Sequence, residues 1–199
     1  MSTVERSDLA RITAFTDGVM AVAITLLVLS IEVPKVPDGD LPGQLDDLIL
    51  PVLAYALAFT LVGRFWVIHH RLFEDLERFD GRLMALNLLF LGLVALLPFS
   101  TDLMSTYDEV PEAAAVFATS IALVSLTHWA MARYSAQRGF LNPEHEFAQP
   151  VGLGFAAVFL ASIPVAYVDT TLAQLMWIAG AFLHYPLRRV AGRGSETSP

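Results

Sequence analysis

The sequence predicts an all-α integral membrane protein with six transmembrane helices per subunit and both termini in the cytoplasm. Of the 199 residues, 55% are hydrophobic and only 16% are charged, and the mean hydropathy is +0.58. A typical soluble domain has about 25% charged residues. Ten of the 12 Lys and Arg residues fall in the termini and in alternate loops. By the positive-inside rule this side is cytoplasmic, and the number of spans is even.

The first apolar segment predicts a transmembrane helix at 11–33, followed by a proline-rich turn. A cleaved signal peptide is disfavoured because the segment is too long, contains Asp17 and precedes no small-residue cleavage site. The second segment predicts a helix at 45–72 whose apolar run is interrupted only by Arg64. The third segment predicts one continuous helix at 81–107.

The last three helices are predicted at 111–137, 148–168 and 170–189, where Pro111, Asn142-Pro143 and Asp169 act as breakers. A membrane-crossing helix needs about 20 residues, so six of them leave no room for a second soluble domain. We therefore expect one six-helix transmembrane domain at 1–190 and a short polar tail at 191–199. Such a protein would lie in the cell membrane, in contact with the lipid bilayer.

The loops on the outer side of the predicted bundle are strongly acidic. Ten carboxylate residues accompany Lys35 there: Glu32, Asp38, Asp40, Asp46, Asp47, Asp102, Asp108, Glu109, Glu112 and Asp169. These charges either keep the exposed loops soluble or concentrate cations at an outer mouth. The net charge of −8 argues against a nucleic-acid partner, because such a partner requires a basic face.

The sequence offers no support for an enzyme, a cofactor or a resident metal. The chain has no cysteine, which excludes disulfides, thiol nucleophiles and zinc–thiolate sites. It also lacks the HExxH, GxSxG, P-loop and GxGxxG motifs. His70 and Glu74 have an i,i+4 spacing that would suit a metal, but an amphipathic helix end at the membrane interface is the favoured interpretation.

Polar residues at membrane depth are concentrated in the cytoplasmic third of the predicted bundle. At 1.5 Å per residue, five helices each place one within about 10 Å of the cytoplasmic boundary. These residues are Asp17, Arg64, Asn87, His128 and His184, with His69 and His70 nearer the surface. Because a buried carboxylate is costly unless it is paired, we expect Asp17 to pair with Arg64 or with a histidine. A hydrogen-bond network that clamps the helices is favoured over a proton path.

One narrow stripe of the first helix has a distinctive order of residues. At 100° per residue, the stripe stays within about 40° of one line along the helix. It contains Arg11, Phe15, Gly18, Val22, Leu26 and Leu29, and Thr25 flanks it. Asp17 lies on the opposite side. In isolation, ordinary helix packing would explain such a stripe.

The segment from Arg11 to Leu29, with Phe15-Thr16-Asp17 near its start, resembles the signature helix of the transmembrane protein 175 family. This family comprises potassium-permeable channels, and its mark is Arg-x-x-x-Phe-Ser-Asp, so that Thr16 replaces a serine. The resemblance extends to the second and third helices through Trp66, His69, His70 and Asn87.

The resemblance implies a homotetramer in which the first helix of each subunit lines a central pore. Carried over by position, the constriction residues are Val22, Leu26 and Leu29, and Thr25 provides a hydroxyl layer. The Thr-Val-Gly-Tyr-Gly filter of ordinary potassium channels is missing from the family and from this chain. The implied function is passive conduction of monovalent cations, with potassium as the permeant ion.

Two other classes of function stay open at this point. A proton-coupled secondary transporter could use His69, His128 and His184, but it would call for discontinuous helices or an inverted repeat, and the sequence shows neither. A non-conducting membrane scaffold could use the stripe of the first helix for packing alone.

Overall fold

The computed structural model describes residues 3–32, 45, 48–142 and 152–183, and these residues are helical apart from short connections and one isolated bridge. The first helix, α1, spans Thr3–Leu26 and continues into a 3₁₀ turn, Leu27–Ser30. The other helices are α2 (Ile49–Glu74), α3 (Gly81–Ala95), α4 (Leu97–Thr106), α5 (Pro111–Gln137), α6 (Gly152–Ala166) and α7 (Thr170–Leu183).

Four stretches of the described chain are long and apolar enough to cross a membrane: Ser7–Ser30, Ile49–Glu74, Gly81–Thr106 and Pro111–Gln137. The apolar helix α6 has 15 residues, which corresponds to about 22 Å at 1.5 Å per residue. Many large apolar side chains remain exposed on the subunit, as expected for a surface that faces lipid or another copy of the chain. The fold is therefore that of an all-helical membrane protein.

The third predicted helix is interrupted, whereas the sequence suggested one continuous helix at 81–107. It consists of α3, which ends at Ala95, and α4, which begins at Leu97. Pro98 explains the interruption, because its nitrogen has no hydrogen to donate to the carbonyl of Val94 four residues earlier.

The first helix also differs from its predicted extent of 11–33. It begins earlier, at Thr3, and it tightens into the 3₁₀ turn after Leu26. Ser30 is buried, and its hydroxyl donates to the carbonyl oxygen of Leu27 at 2.8 Å. Such 3₁₀ turns are common at the ends of α-helices, and hydropathy does not reveal them.

The central helix of the described bundle is α5, which packs against α3 and α4 as well as α6. Around it, α1 packs on α2 and α3, and α7 packs on α6. Gly152 allows α5 and α6 to approach closely, because a Cβ atom at this position would lie 3.0 Å from the Cβ of Trp129. The Ser125 hydroxyl donates to the Gly152 carbonyl at 2.9 Å and joins the two helices.

A clasp joins the start of α3 to the end of α5, and we define it by Asp80, Tyr134 and Arg138. The Asp80 carboxylate accepts hydrogen bonds from the Leu83 amide at 2.9 Å and from the Tyr134 hydroxyl at 2.6 Å. Arg138 Nη2 lies 3.9 Å from the same carboxylate. The hydrogen bond from Tyr134 and that from the Leu83 amide hold the pKa of Asp80 below its ordinary value.

The chain after α5 extends this clasp. Gly139 adopts a φ of 63°, and the amides of Gly139 and Phe140 bond the carbonyls of Ala136 and Ser135. This is the Schellman arrangement that ends a helix, and its left-handed residue favours glycine. The turned chain then pairs with the connection between α2 and α3 through the isolated bridge Leu76↔Leu141.

Candidate functional site

One face of α1 anchors the helix to the rest of the subunit. The buried residues of α1 and of its 3₁₀ turn recur at intervals of three, four or seven, which is the spacing of a single helical face: Leu9, Thr16, Met20, Ala23, Leu27 and Ser30. This face packs on α2 and α3.

The other face of α1 has large apolar side chains that nothing in the described subunit covers. The exposed fractions are 55% for Phe15, 58% for Val22, 42% for Leu26 and 70% for Leu29. Gly18 and Arg11 are also exposed. The structure thus leaves the stripe of the first helix outside the subunit core, and we call it the α1 stripe.

The 3₁₀ turn changes the position of Leu29 relative to Leu26. Three residues of a 3₁₀ helix make one full turn and rise by about 6 Å, so Leu29 lies nearly in line with Leu26 along the helix. An unbroken α-helix would rotate Leu29 by about 60° away from Leu26. Val22, Leu26 and Leu29 therefore form an apolar line of about 12 Å.

Thr25 is exposed beside the α1 stripe, and its hydroxyl donates to the carbonyl oxygen of Val22 at 2.8 Å. A hydroxyl oxygen has two acceptor lone pairs in addition to its proton. Because the proton is already used by the backbone, the oxygen presents acceptor capacity to its surroundings. Such an oxygen can substitute for a water molecule around a cation.

A buried polar chain joins α1 to α3 and α2. The Asn87 side-chain nitrogen donates to the Thr16 hydroxyl at 3.1 Å, and the Asn87 oxygen lies 2.9 Å from His69 Nε2. All three side chains are almost fully buried. Buried polar groups are costly without partners, so the three residues specify how the helices meet.

Asp17 lies beside these three residues, and its hydrogen-bond partner differs from the one that the sequence predicted. The carboxylate accepts a hydrogen bond from Trp66 Nε1 at 2.9 Å, whereas Arg64 or a histidine was the partner expected from the sequence. The Trp66 ring stacks on His70, with 5.4 Å between centroids. The structure therefore brings Thr16, Asp17, Trp66, His69 and Asn87 together, and we call this group the α1 anchor.

Arg64 extends away from the α1 anchor, towards α6 and α7. Its Nη1 atom donates to the carbonyl oxygen of Ala181 at 3.3 Å, and its guanidinium lies 4.6 Å from the centre of the Phe155 ring. The polar residues predicted at membrane depth are thus divided, since Trp66 and His69 on α2 bond to α1 and α3 whereas Arg64 contacts α6 and α7.

The remaining histidines have distinct surroundings. His128 is buried with its ring 6.2 Å from that of His69, and its Nε2 atom has no hydrogen-bond partner among the described residues. His70 Nε2 lies 3.2 Å from a Glu74 carboxylate oxygen at a partly exposed helix end. No cluster of three metal-ligating side chains occurs within the described residues. His184 lies outside the part of the chain that the structure describes.

Two structural roles escaped the sequence analysis. Trp66 was recognised as a motif residue but not as the donor to Asp17, because hydropathy gives the depth of a side chain and not its partner. The clasp at Asp80 was also missed. A signal for it exists, since an aspartate directly before a helical apolar run is typical of an N-cap.

Comparison with known proteins gives a consistent result. Residues 11–98 match the family model described as endosomal/lysosomal potassium channel TMEM175. A potassium channel from Streptomyces collinus is 42% identical over 118 residues, which cover 57% of this chain and 56% of the relative. A potassium channel from Chamaesiphon minutus is 40% identical over 112 residues, 55% of each protein. The chain thus spans little more than half the length of these relatives.

Two further comparisons extend the match. The human endosomal/lysosomal proton channel TMEM175 is 34% identical over 134 residues, which cover 61% of this chain and 27% of the human protein. The crystal structure of a lysosomal potassium-selective channel TMEM175 homolog from Chamaesiphon minutus superposes with a TM-score of 0.80 and 29% identity. That superposition covers 92% of this chain and 98% of the other.

Proposed function

Because the chain belongs to the TMEM175 family, as its sequence resemblance suggested, we propose that it is a passive, potassium-permeable cation channel. In this proposal four copies of the chain assemble around a central pore, and α1 of each copy lines it. The channel lies in the cell membrane with both termini in the cytoplasm, and it performs no enzymatic reaction.

The observation that supports this proposal is the two-sided character of α1. Its inner face is fixed to α2 and α3 through the α1 anchor, while the α1 stripe remains outside the subunit core. A helix held in this way can present Val22, Leu26 and Leu29 in a fixed direction. Four such lines of side chains would surround a narrow apolar passage.

An apolar passage restricts ions in a particular way. Aliphatic side chains supply no ligands for a dehydrated ion, so they act by narrowing the pore and by excluding water. Thr25 is the nearby group that offers oxygen atoms, because its proton is bonded to the Val22 carbonyl. We therefore assign the constriction to Val22, Leu26 and Leu29 and the polar layer to Thr25.

The permeant ion is proposed as potassium because the bacterial relatives named potassium channels are 42% and 40% identical to this chain. Protons are the second candidate, since the human relative, 34% identical, is named a proton channel. Flux into liposomes distinguishes the two ions. Potassium-driven uptake and an internal pH dye should be recorded on the same preparation, and a pH change without potassium movement would favour the proton channel.

The absence of cysteine from the chain allows a direct test of the pore lining. Single variants Val22→Cys, Leu26→Cys and Leu29→Cys should be reconstituted and treated with a membrane-impermeant cationic thiol reagent. We expect the reagent to block flux at these positions, because water reaches a pore-lining residue. Leu89→Cys is the matched control, since Leu89 is also apolar and exposed but lies on α3.

Four outcomes would contradict the proposal. Unmodified thiols at all three stripe positions in a conducting protein would remove α1 as the pore lining. Equal block of the Leu89→Cys variant would show that the reagent acts elsewhere. Cation flux that is absent from the cysteine-free protein would favour a scaffold, and flux that depends on an opposing proton gradient would favour a transporter.

A further inference from the structure

A cleft of about 340 Å³ opens between α2, α4 and α7, and none of its lining residues belongs to α1. Its walls are mainly apolar and include Ala54, Leu57, Met104, Trp177 and Ile178. Direct contact between α2 and α7 is slight, so the cleft separates these helices. Its volume lies within the range of ligand-binding sites, about 300–1,000 Å³.

The two ends of the cleft differ in composition. At one end, Arg64 connects α2 to α7 through its hydrogen bond to the carbonyl of Ala181, which itself lines the cleft. At the other end lie Ser105, Asp108 and Gln174, near the end of α4 and the beginning of α7. The lining of α2 extends from Leu50 to Thr60, a length of about 15 Å.

The polar mouth is rich in hydrogen-bond acceptors. Asp108 is the only charged residue among the described residues that line the cleft. The Ser105 hydroxyl donates to the carbonyl oxygen of Asp102 at 3.0 Å, which leaves its lone pairs available. A mouth with this composition favours a cationic donor and disfavours an anionic head group.

We propose that the cleft binds a single-chain alkylamine, with its apolar tail between α2 and α7 and its ammonium group at Asp108. A primary ammonium has three donors and no acceptor, which matches a carboxylate beside a serine oxygen. Hydrogen bonds between charged groups are also stronger than those between neutral groups. The elongated apolar walls match an alkyl chain.

The test uses the full-length protein in vesicles of zwitterionic phosphatidylcholine, so that the bilayer itself does not concentrate the amine by charge. The probe is dodecylamine with a photoreactive diazirine in its tail, and labelled peptides are identified by mass spectrometry. We expect saturable labelling of the wall segments 50–60 and 174–181, and we expect unlabelled dodecylamine to suppress it. Dodecanol should compete less well, and dodecyl sulfate should compete least.

Two variants test the mouth. Asp108→Asn should weaken competition by dodecylamine about tenfold, which corresponds to the loss of one charged hydrogen bond, and it should leave competition by dodecanol unchanged. Glu109→Gln is the matched control, because it removes a neighbouring exposed charge that does not line the cleft. Equal weakening by both variants would mean that surface charge alone attracts the amine and would overturn the proposal.

A third variant tests the walls. Ala54→Leu adds side-chain volume to the cleft and should reduce labelling of both wall segments, provided that circular dichroism shows unchanged helix content. If Ala54→Leu does not fold, Ile178→Phe serves the same purpose from α7, at a position exposed in the isolated subunit. Labelling that does not saturate would overturn the proposal. Labelling that persists in a variant that folds and has a larger side chain in the cleft would also overturn it.

Discussion

At the scale of single residues, the α1 anchor explains why polar groups occur at membrane depth in this chain. Thr16, Asn87 and His69 form one continuous chain of hydrogen bonds, and Asp17 accepts from Trp66 beside it. Each of these contacts joins different helices. The residues therefore determine how α1 is oriented, and their chemical role is one of positioning.

The Asp17–Trp66 contact predicts an assembly defect without a change in ion preference. Asp17→Asn and Trp66→Phe should each lower thermal stability, by about 1 kcal/mol or more, because both weaken a charge-assisted hydrogen bond. The double variant should lose less stability than the sum of the losses in the two single variants, since both changes remove the same contact. Trp129→Phe is the control, because it removes an indole that lies on α5 and does not bond to Asp17. A fully assembled Asp17→Asn channel with altered potassium preference would contradict this role.

Among the hydrogen-bonded residues Thr16, Asn87 and His69, we predict that substitution of Asn87 lowers stability most, because Asn87 bonds to both of the others. Asn87→Leu would leave His69 Nε2 and the Thr16 hydroxyl without their partner in a buried site. Each unsatisfied group costs about 1–3 kcal/mol. Thermal unfolding in detergent should show a large loss of stability, and a variant as stable as the wild type would show that water or a rearranged side chain replaces the amide.

At the scale of helices, the clasp at Asp80 predicts a dependence of stability on pH. The folded protein holds the pKa of Asp80 below its ordinary value, with the Tyr134 hydrogen bond as the main cause. This contribution to stability is present above the unfolded pKa and is lost as the pH falls through the folded pKa. Tyr134→Phe should reduce stability at neutral pH and should weaken its decline in acid.

Thermal unfolding of wild type and Tyr134→Phe across the acidic range measures this effect. Tyr107→Phe is a suitable control, because Tyr107 is exposed at the other end of the bundle. Parallel stability curves for wild type and Tyr134→Phe would show that the hydroxyl makes no difference to the protonation of Asp80.

The α1 stripe makes the central prediction at this scale. If the proposed pore lining is right, Leu26→Ser and Leu29→Ser should raise cation flux and reduce discrimination between potassium and sodium, because they would hydrate the proposed apolar constriction. Thr25→Ala should reduce discrimination without closing the pore. If the stripe instead packs against other helices, both serine variants would lose stability and flux. Flux and thermal unfolding measured on the same purified variants decide between these outcomes.

How much of each helix was predictable depends on which interaction determines it. Apolar runs and breakers such as Pro111 are local signals, so the all-helical class and the apolar, membrane-like helices followed from the sequence. The interruption at Leu96 was not predicted, although Pro98 is a local signal for it. The 3₁₀ turn after Leu26 was not predicted, because it depends on backbone hydrogen bonds that hydropathy does not reveal. The partner of Asp17 did not follow either, since Arg64 and Trp66 are only two residues apart on α2 but face different neighbours.

At the scale of the whole molecule, the acidic residues predicted on the outer side offer a test of cation attraction. Asp38, Asp40, Asp46 and Asp47 lie outside the described residues. Neutralising all four should lower inward conductance if they concentrate cations, and the effect should diminish with added salt, since the Debye length falls from about 10 Å at 0.1 M to about 3 Å at 1 M. Equal conductance at low salt would assign these charges to loop solubility.

The end of α1 adds a source of negative potential that needs no carboxylate. The helix closes in the 3₁₀ turn Leu27–Ser30, and the aligned peptide dipoles of a helix place about half a negative elementary charge at such an end. In the proposed tetramer, four ends together would equal about two negative charges around the axis. Peptide groups do not titrate, so this macrodipole field would favour cations independently of pH.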